Sequence, residues 1–125
     1  MALAYPLDQY HQVAVKVSRE HRAAGGRFVG TLLVVSELHT LLLHRRGPED
    51  ARRVVGALLS DPFHEWVDVT AELARSALNG WLERFADQRF TLCDAVSFEV
   101  MRRQRLTTAF AFDDDFVTAG FALLR

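Results

Sequence analysis

Cysteine is almost absent from this sequence, in which Cys93 is the only one among 125 residues. A single thiol excludes an internal disulfide framework and a zinc site with four cysteine ligands, and it is typical of a reducing compartment. The longest uncharged apolar run, residues 28–36, is about half of the ~18 to 20 residues that a membrane helix needs. The first residues also lack the basic start and apolar run of a signal peptide. We therefore expect a cytoplasmic protein with no membrane span.

The chain also lacks an excess of charge of either sign. Fifteen Lys plus Arg residues stand against sixteen Asp plus Glu, which gives a formal net charge of −1. Any nucleic-acid partner must therefore be bound by local basic patches rather than by a general positive field. Half of the residues are hydrophobic and a quarter are charged, which excludes a disordered tail and a collagen-like fibre. Length and composition together predict one globular domain over residues 1–125.

Helices and strands are expected to alternate along the chain. The spacing of apolar residues and the positions of Gly and Pro predict helices over 8–24, 31–45, 48–60, 71–85 and 91–105. Short apolar runs predict strands over 28–31, 66–69, 108–112 and 121–124. This order favours an α/β fold, a three-layer sandwich in which helices flank a central parallel sheet. In such sheets ligands bind beyond the carboxyl ends of the strands.

Glu37 is the first acidic residue that needs an explanation. Its helical neighbours are Leu33, Val34, Thr40 and Leu41, so the helix pattern places it on a core-type face. An ionised carboxylate there costs several kcal/mol unless a partner compensates it. A metal ion, an arginine or solvent in a cleft would each provide compensation, and the sequence leaves an ion pair and a ligand role equally open.

Asp94 is the second acidic residue of interest. It lies three residues after Thr91, and this spacing matches a capping box that satisfies free amides at the start of a helix. Ser97, Phe98 and Met101 share its helical face, which places a hydroxyl one turn from the acid. A purely structural cap and a functional carboxylate are therefore both consistent with the pattern.

Three consecutive acids, Asp113, Asp114 and Asp115, follow the predicted strand over 108–112. They would lie at the carboxyl end of that strand, where open parallel sheets bind ligands. The alternative is a solvated turn whose side chains cap the next half-turn. A calcium-binding EF-hand loop is excluded because the acids are consecutive and the position of its closing glutamate is Leu124.

The separated acids form an all-oxygen set without Cys or His beside them, and such a set suits Mg²⁺ or Mn²⁺. The five histidines do not show zinc-protease spacing, and neither a Gly-x-Ser-x-Gly motif nor a phosphate-binding glycine loop is present. A divalent ion with several waters can direct a displacement at phosphorus. The residues therefore favour a phosphodiesterase.

Arginine pairs and clusters at 45–46, 52–53 and 102–105 either contact phosphates or form solvated helix faces.

Three segments carry a resemblance to a known family: LVVSELHTLLL (33–43), FTLCDAVSFEVM (90–101) and AFAFDDDFVTAGF (109–121). In order and spacing they resemble PIN domains, and most closely the VapC-like toxin ribonucleases. The resemblance implies a small α/β sandwich in which acidic residues bind Mg²⁺ or Mn²⁺ and a metal-activated water cleaves RNA. It also implies a protein antitoxin and a homodimer as partners.

The resemblance assigns roles position by position. Glu37, Asp94 and Asp113 match catalytic acids that hold the metal, and Asp115 matches a variable position that suits a second metal or an outer-shell group. Ser97 matches a hydroxyl that positions a water or a phosphate. Cys93 stands where the family commonly has threonine, so one hydroxyl is lost.

The family pattern opens with a buried strand that ends in an aspartate, and Met1–Tyr5 stands just after that motif. We therefore expect the first strand and its acid to be absent, and Asp8 suits a helix cap rather than a replacement. A shortened start, a decayed paralogue and a strand supplied by another chain each explain this. Two functions remain in competition: a metal-dependent endoribonuclease toxin, and a catalytically impaired interaction module of the same fold. A third interpretation gives the acids purely structural capping roles.

Overall fold

The computed structural model describes residue 16 and residues 19–109 and 114–123, in which helices and strands alternate. In chain order the elements are α1 (residues 19–23), β1 (Phe28–Thr31), α2 (Leu32–Arg46), α3 (Pro48–Leu59), β2 (His64–Val67), α4 (Ala71–Ala77), a π-helical turn (Leu78–Leu82), α5 (Leu92–Arg103), β3 (Thr108–Ala109), α6 (Asp115–Thr118) and β4 (Ala122–Leu123). The chain forms two compact units, the first ending at Trp66 and the second beginning at Val67. The predicted α/β organisation is confirmed.

The strands pair within each unit. In the first, β1 and β2 are neighbours in a two-stranded sheet, and the backbone N–H of Phe28 donates to the carbonyl of Phe63 at 2.8 Å. In the second, β3 and β4 pair in parallel, with Thr108 opposite Ala122. The parallel pairing agrees with the prediction. The expected absence of a first strand falls on amino-terminal residues outside the described part of the chain.

Where the structure describes them, most predicted elements lie close to their observed positions, but β2 begins at His64, two residues before the predicted start. The predicted helix over 8–24 and the predicted strands over 108–112 and 121–124 lie partly outside the described residues. The predicted helix over 71–85 is wrong in its second half. It leaves α-geometry after Ala77, and the N–H of Glu83 donates to the carbonyl of Leu78, five residues back, at 3.2 Å. Gly80 lies inside this turn and lowers the preference for a regular helix. Trp81, also in the turn, is buried.

The core of the first unit is formed where α2 and α3 pack together. Its buried members are Val35, Leu38, Leu42, Ala51 and Leu58. Although α2 is apolar on most sides, it is not buried on most sides, because Leu32, Leu41 and Leu43 are exposed. One packed neighbour covers one stripe of a helix, so apolar residues outside that stripe stay at the surface.

A close approach between β1 and β2 gives the first testable prediction. A methyl group at Gly30 would lie 2.9 Å from Cζ3 of Trp66, whose ring stacks on His64 with 5.3 Å between centroids. We expect Gly30→Ala to lower the free energy of unfolding by about 1–3 kcal/mol through overpacking. Urea denaturation measures this change.

Gly56 provides the matched control. It lies inside α3 and is exposed. A methyl group added there would have no neighbouring atom within 4 Å outside the backbone of its own helix and its chain neighbours. Alanine there should raise the free energy of unfolding by roughly 0.5–1 kcal/mol, since it restricts the unfolded chain and favours the helix. If both variants were stabilised, the close packing of Gly30 on Trp66 would be disproved.

The core of the second unit is an aromatic cluster centred on Phe98, which is 0% exposed. Its ring centroid lies 5.2 Å from that of Trp81 and 5.0 Å from those of Phe90 and Phe116. Phe121 lies at 5.9 Å. These contacts join α5 to the π-helical turn and to the segment around α6. In the part of the chain that the structure describes, no helix is long and apolar enough to span a membrane.

Candidate functional site

Asp94 lies in the first turn of α5 and forms the predicted capping box. The N–H of Thr91 donates to Oδ2 of Asp94 at 3.0 Å, and the N–H of Asp94 donates to Oγ1 of Thr91 at 3.1 Å. These bonds satisfy amides at the helix start and fix the orientation of the carboxylate. Oδ1 has no hydrogen-bond partner among the described residues. The cap therefore occupies one oxygen and leaves the other available to a ligand.

Glu37 lies on α2, and its surroundings differ from those predicted. The side chain is exposed, as are Thr40 and Leu41, whereas Val35 and Leu38 are buried. The interpretation of Glu37 as a carboxylate on a core-type face is therefore wrong. Its charge is solvated, so no arginine or metal is needed to offset burial. A ligand role for Glu37 has to rest on other grounds.

The other predicted site residues lie in the second unit. Ser97 is half-buried on α5, one turn after Asp94. Asp114 is the N-cap residue of α6, and its carbonyl accepts from the N–H of Thr118 at 2.9 Å. Asp115 is the first residue of α6 and is half-buried. Asp113 lies outside the described residues.

The available donors are hard carboxylate oxygens, which fit Mg²⁺ or Mn²⁺ in chemical type. Across residues 16, 19–109 and 114–123, no three His, Cys, Asp or Glu side chains converge in a way that could hold a metal ion. The exposed Glu37 and Oδ1 of Asp94 remain accessible donors. The metal set of Glu37, Asp94, Asp113 and Asp115 therefore stays a prediction.

A buried acid that the sequence analysis missed lies further along α5. Glu99 is 4% exposed. Its Oε1 accepts from Nε1 of Trp81 at 3.2 Å and from Nε of Arg102 at 2.9 Å, and its Oε2 accepts from Nη2 of Arg102 at 2.7 Å and from Nε of Arg103 at 2.8 Å. The arginines three and four residues later were a readable signal, because such residues meet on a helix.

Arg103 extends this network to α4. Its two terminal nitrogens donate to the two carboxylate oxygens of Glu72 at 2.9 and 2.7 Å. Ser76 adds a hydrogen bond from its hydroxyl to Oε1 of Glu72 at 2.9 Å. The guanidinium of Arg103 is thus held between two carboxylates, which raises its pKa through hydrogen bonds to Glu72 and Glu99. Arg103 therefore cross-links α4 and α5.

The network predicts a specific loss of stability in acid. Hydrogen bonds, first from Arg102 and then from Arg103 and Trp81, lower the pKa of Glu99 from 4.5 to about 2 despite its burial. The folded state therefore releases this proton more readily than the unfolded state. The stabilisation is complete above about pH 4.5 and is lost as pH falls toward about 2.

Glu99→Gln should reduce the free energy of unfolding at neutral pH by about 1.5–3 kcal/mol, since it removes hydrogen bonds to a charged acceptor. It should also flatten the dependence of Tm on pH below about 4.5. Glu83→Gln is the control, because Glu83 is exposed and should keep the wild-type profile. Melting curves between neutral and acid pH test this. Parallel profiles for wild type and Glu99→Gln would contradict the assignment.

Comparison with known proteins shows a consistent similarity. The sequence matches the PIN domain family model over residues 5–122. It is 38% identical over 92 residues to the 23S rRNA-specific endonuclease VapC20 of Mycobacterium tuberculosis, in strains CDC 1551 / Oshkosh and ATCC 25618 / H37Rv. That segment covers 74% of this chain and 69% of VapC20. The fold is similar to the crystal structure of M. tuberculosis VapC20, a sarcin–ricin loop cleaving toxin, with a TM-score of 0.81 and 31% identity over 97% of this chain and 89% of that one.

Proposed function

Because the chain belongs to the PIN domain family and resembles its VapC-like endonuclease toxins, we propose that it is an endoribonuclease that hydrolyses phosphodiester bonds in RNA. The match to the PIN domain model and the identity to VapC20 confirm the predicted family. The observation that carries the proposal is the family match over residues 5–122, which includes Glu37, Asp94 and Asp113. Since VapC20 is named as a 23S rRNA-specific endonuclease, we propose a ribosomal RNA hairpin as the substrate class.

The proposed reaction uses Mg²⁺ or Mn²⁺, held by Glu37, Asp94 and Asp113 with Asp115 in a supporting position. Such an ion supplies an activated water at neutral pH and offsets negative charge at phosphorus. Asp94 contributes a carboxylate whose orientation is held by the N–H of Thr91, with Oδ1 available. Ser97, one turn further along α5, positions a water or a phosphate oxygen through its hydroxyl.

The proposal extends to the cellular setting. The protein acts in the cytoplasm as the toxin of a toxin–antitoxin pair, it is inhibited by a protein antitoxin, and it forms a homodimer. These statements follow the family resemblance. The exposed apolar side chains of Leu32, Leu41 and Leu43 on α2 are consistent with a surface that a protein partner covers. We also propose that the two units act as one domain, since a single family model spans both.

A second candidate function is a catalytically impaired interaction module. The observation that favours it is that no three metal-ligating side chains converge in the described parts of the chain. Such a module would bind an antitoxin or a second copy without cleaving RNA. Metal dependence separates the two functions, because only the nuclease needs a divalent ion at the acids.

The test uses an RNA hairpin with the sarcin–ricin loop sequence, incubated with the full chain in Mn²⁺, in Mg²⁺ and in EDTA. The proposal expects cleavage with either ion and none in EDTA, together with binding of Mn²⁺ by calorimetry. Metal binding without cleavage would contradict the proposal that a ribosomal RNA hairpin of this kind is the substrate. Neither binding nor cleavage would favour the interaction module.

A further inference from the structure

An open groove in the second unit lies between α4, the π-helical turn and the carboxyl-terminal half of α5. Its volume is about 530 Å³, and four of its lining residues are arginines against two glutamates. The groove therefore carries an excess of two positive charges in a chain whose formal net charge is −1. None of the residues predicted to hold the metal lines it.

Both glutamates of the groove are already engaged by arginine. Glu72 accepts the bidentate pair from Arg103, and Glu99 accepts from Arg102 and Arg103. Their hydrogen bonds hold the pKa of each carboxyl at about 2, so both are ionised and paired at neutral pH. The carboxylates fix the positions of two guanidinium groups and leave the other cations of the groove without an acidic partner.

The groove contains N–H donors that no carboxylate of the described residues accepts, and they belong to Arg75, Arg84 and Arg102. The side chain of Arg75 makes no hydrogen bond or ion pair with the described residues. Arg84 makes no ion pair within that same part of the chain, and its guanidinium carbon lies 5.9 Å from the ring centroid of Trp81 and 5.3 Å from that of Phe85. Arg102 bonds Glu99 through Nε and Nη2 only, and its side chain is 62% exposed.

This arrangement is suited to phosphate groups. A guanidinium presents a planar set of donors that matches phosphate geometry, and stacking on aromatic rings restricts the motion of Arg84. The groove is open rather than enclosed, so a chain can lie along it. A polymer with regularly spaced phosphates would meet several arginines at once, whereas a single small anion would use only one or two.

We propose that the groove formed by Arg75, Arg84 and Arg102 binds backbone phosphates of an RNA strand, apart from the acids predicted to perform cleavage. The identity of the polymer rests on the proposed ribonuclease function. Glu99 and Glu72 act as positioning residues, because they hold Arg102 and Arg103 in place. The groove contributes affinity that depends on salt and carries no base sequence information.

The test measures binding of a fluorescent single-stranded RNA to the full chain in EDTA, at salt concentrations between about 50 and 200 mM. Arg84→Gln and Arg75→Gln should each weaken binding about fivefold or more and reduce the salt slope by about 0.7, the value for one phosphate contact on a single strand. Both residues are exposed, so both variants should fold, which melting curves check. The double variant should reduce the slope by about twice as much.

Arg27→Gln is the matched control, because it removes the same charge from an exposed position just before β1 and outside the groove. It should bind RNA as the wild type does. Equal weakening by Arg27→Gln, unchanged binding by the groove variants, or no RNA binding by the wild type would each overturn the proposal. Tighter binding of an acidic peptide than of RNA, with the same dependence on Arg84, would reassign the groove to a protein partner.

Cleavage assays keep this inference distinct from the proposed function. Groove variants should raise KM for the RNA hairpin and leave kcat unchanged, since they do not touch the predicted metal site. If the wild type cleaves RNA and the groove variants have the same KM as the wild type, the RNA-binding role of the groove is contradicted and the ribonuclease function is not. If the wild type binds RNA through the groove but does not cleave it, the ribonuclease function is contradicted and the RNA-binding role of the groove is not.

Discussion

Asp94→Asn is expected to reduce RNA cleavage at least about 100-fold, because changes even to outer-shell partners of a metal cost 10- to 100-fold in activity. Asparagine keeps an oxygen that can accept the N–H of Thr91, the bond that Oδ2 of Asp94 accepts at 3.0 Å. It removes the negative charge that a divalent ion requires. The substitution therefore separates the chemical role of the side chain from its capping role. Single-turnover cleavage of the hairpin in Mn²⁺ gives the rate, and a melting curve gives the stability.

Thr91→Ala is the reciprocal control. It removes the hydroxyl that accepts from the N–H of Asp94 at 3.1 Å and should cost roughly 1 kcal/mol of stability, as loss of an N-cap does. The carboxylate of Asp94 remains, so cleavage should stay within a few-fold of wild type at a temperature where both proteins are folded. Full activity of Asp94→Asn, together with a lowered Tm of Thr91→Ala, would show that Asp94 is a cap and nothing more.

Phe98→Ala should have the largest effect on stability, a loss of about 3–5 kcal/mol. The side chain is fully buried, and its ring contacts four other aromatic rings in the second unit. Alanine removes most of the apolar surface and leaves a cavity that rigid rings cannot close. Since whole domains are stable by roughly 5–15 kcal/mol, the variant should lie near the limit of folding. Urea denaturation at neutral pH measures the change.

Leu92→Ala is the control on the same helix, because Leu92 is 43% exposed. Its cost should be within about 0.5 kcal/mol, as for most surface substitutions. Similar losses for Leu92→Ala and Phe98→Ala would mean that the aromatic cluster does not carry the core of this unit.

Features set by neighbouring residues were determined by the sequence alone. The start of α3 at Pro48 follows from the proline after Gly47, and the capping box of α5 follows from the spacing of Thr91 and Asp94. These features depend on interactions across no more than four residues, so the covalent chain brings the partners together. The family was also readable, because its acids stand in short segments with fixed order.

Burial was decided by the tertiary structure. The apolar neighbours of Glu37 predicted a core-type face, yet Glu37 is exposed, while Glu99, whose burial was not predicted, is buried. Which stripe of a helix is covered depends on elements distant in sequence, and periodicity cannot identify them when a helix such as α2 is apolar on several sides.

The same distinction holds within the network of Glu99. The sequence alone places Arg102 and Arg103 one turn from Glu99, because positions three and four residues apart meet on any helix. It does not bring Glu72 to Arg103, since those residues are 31 positions apart and meet only when α4 packs against α5. The groove, in which Arg75 and Arg84 have no carboxylate partner among the described residues, is formed by this packing of α4 against α5. The sequence alone determines which charged residues meet within one helix. Packing between helices determines which of them gain a further partner and which stay unpaired.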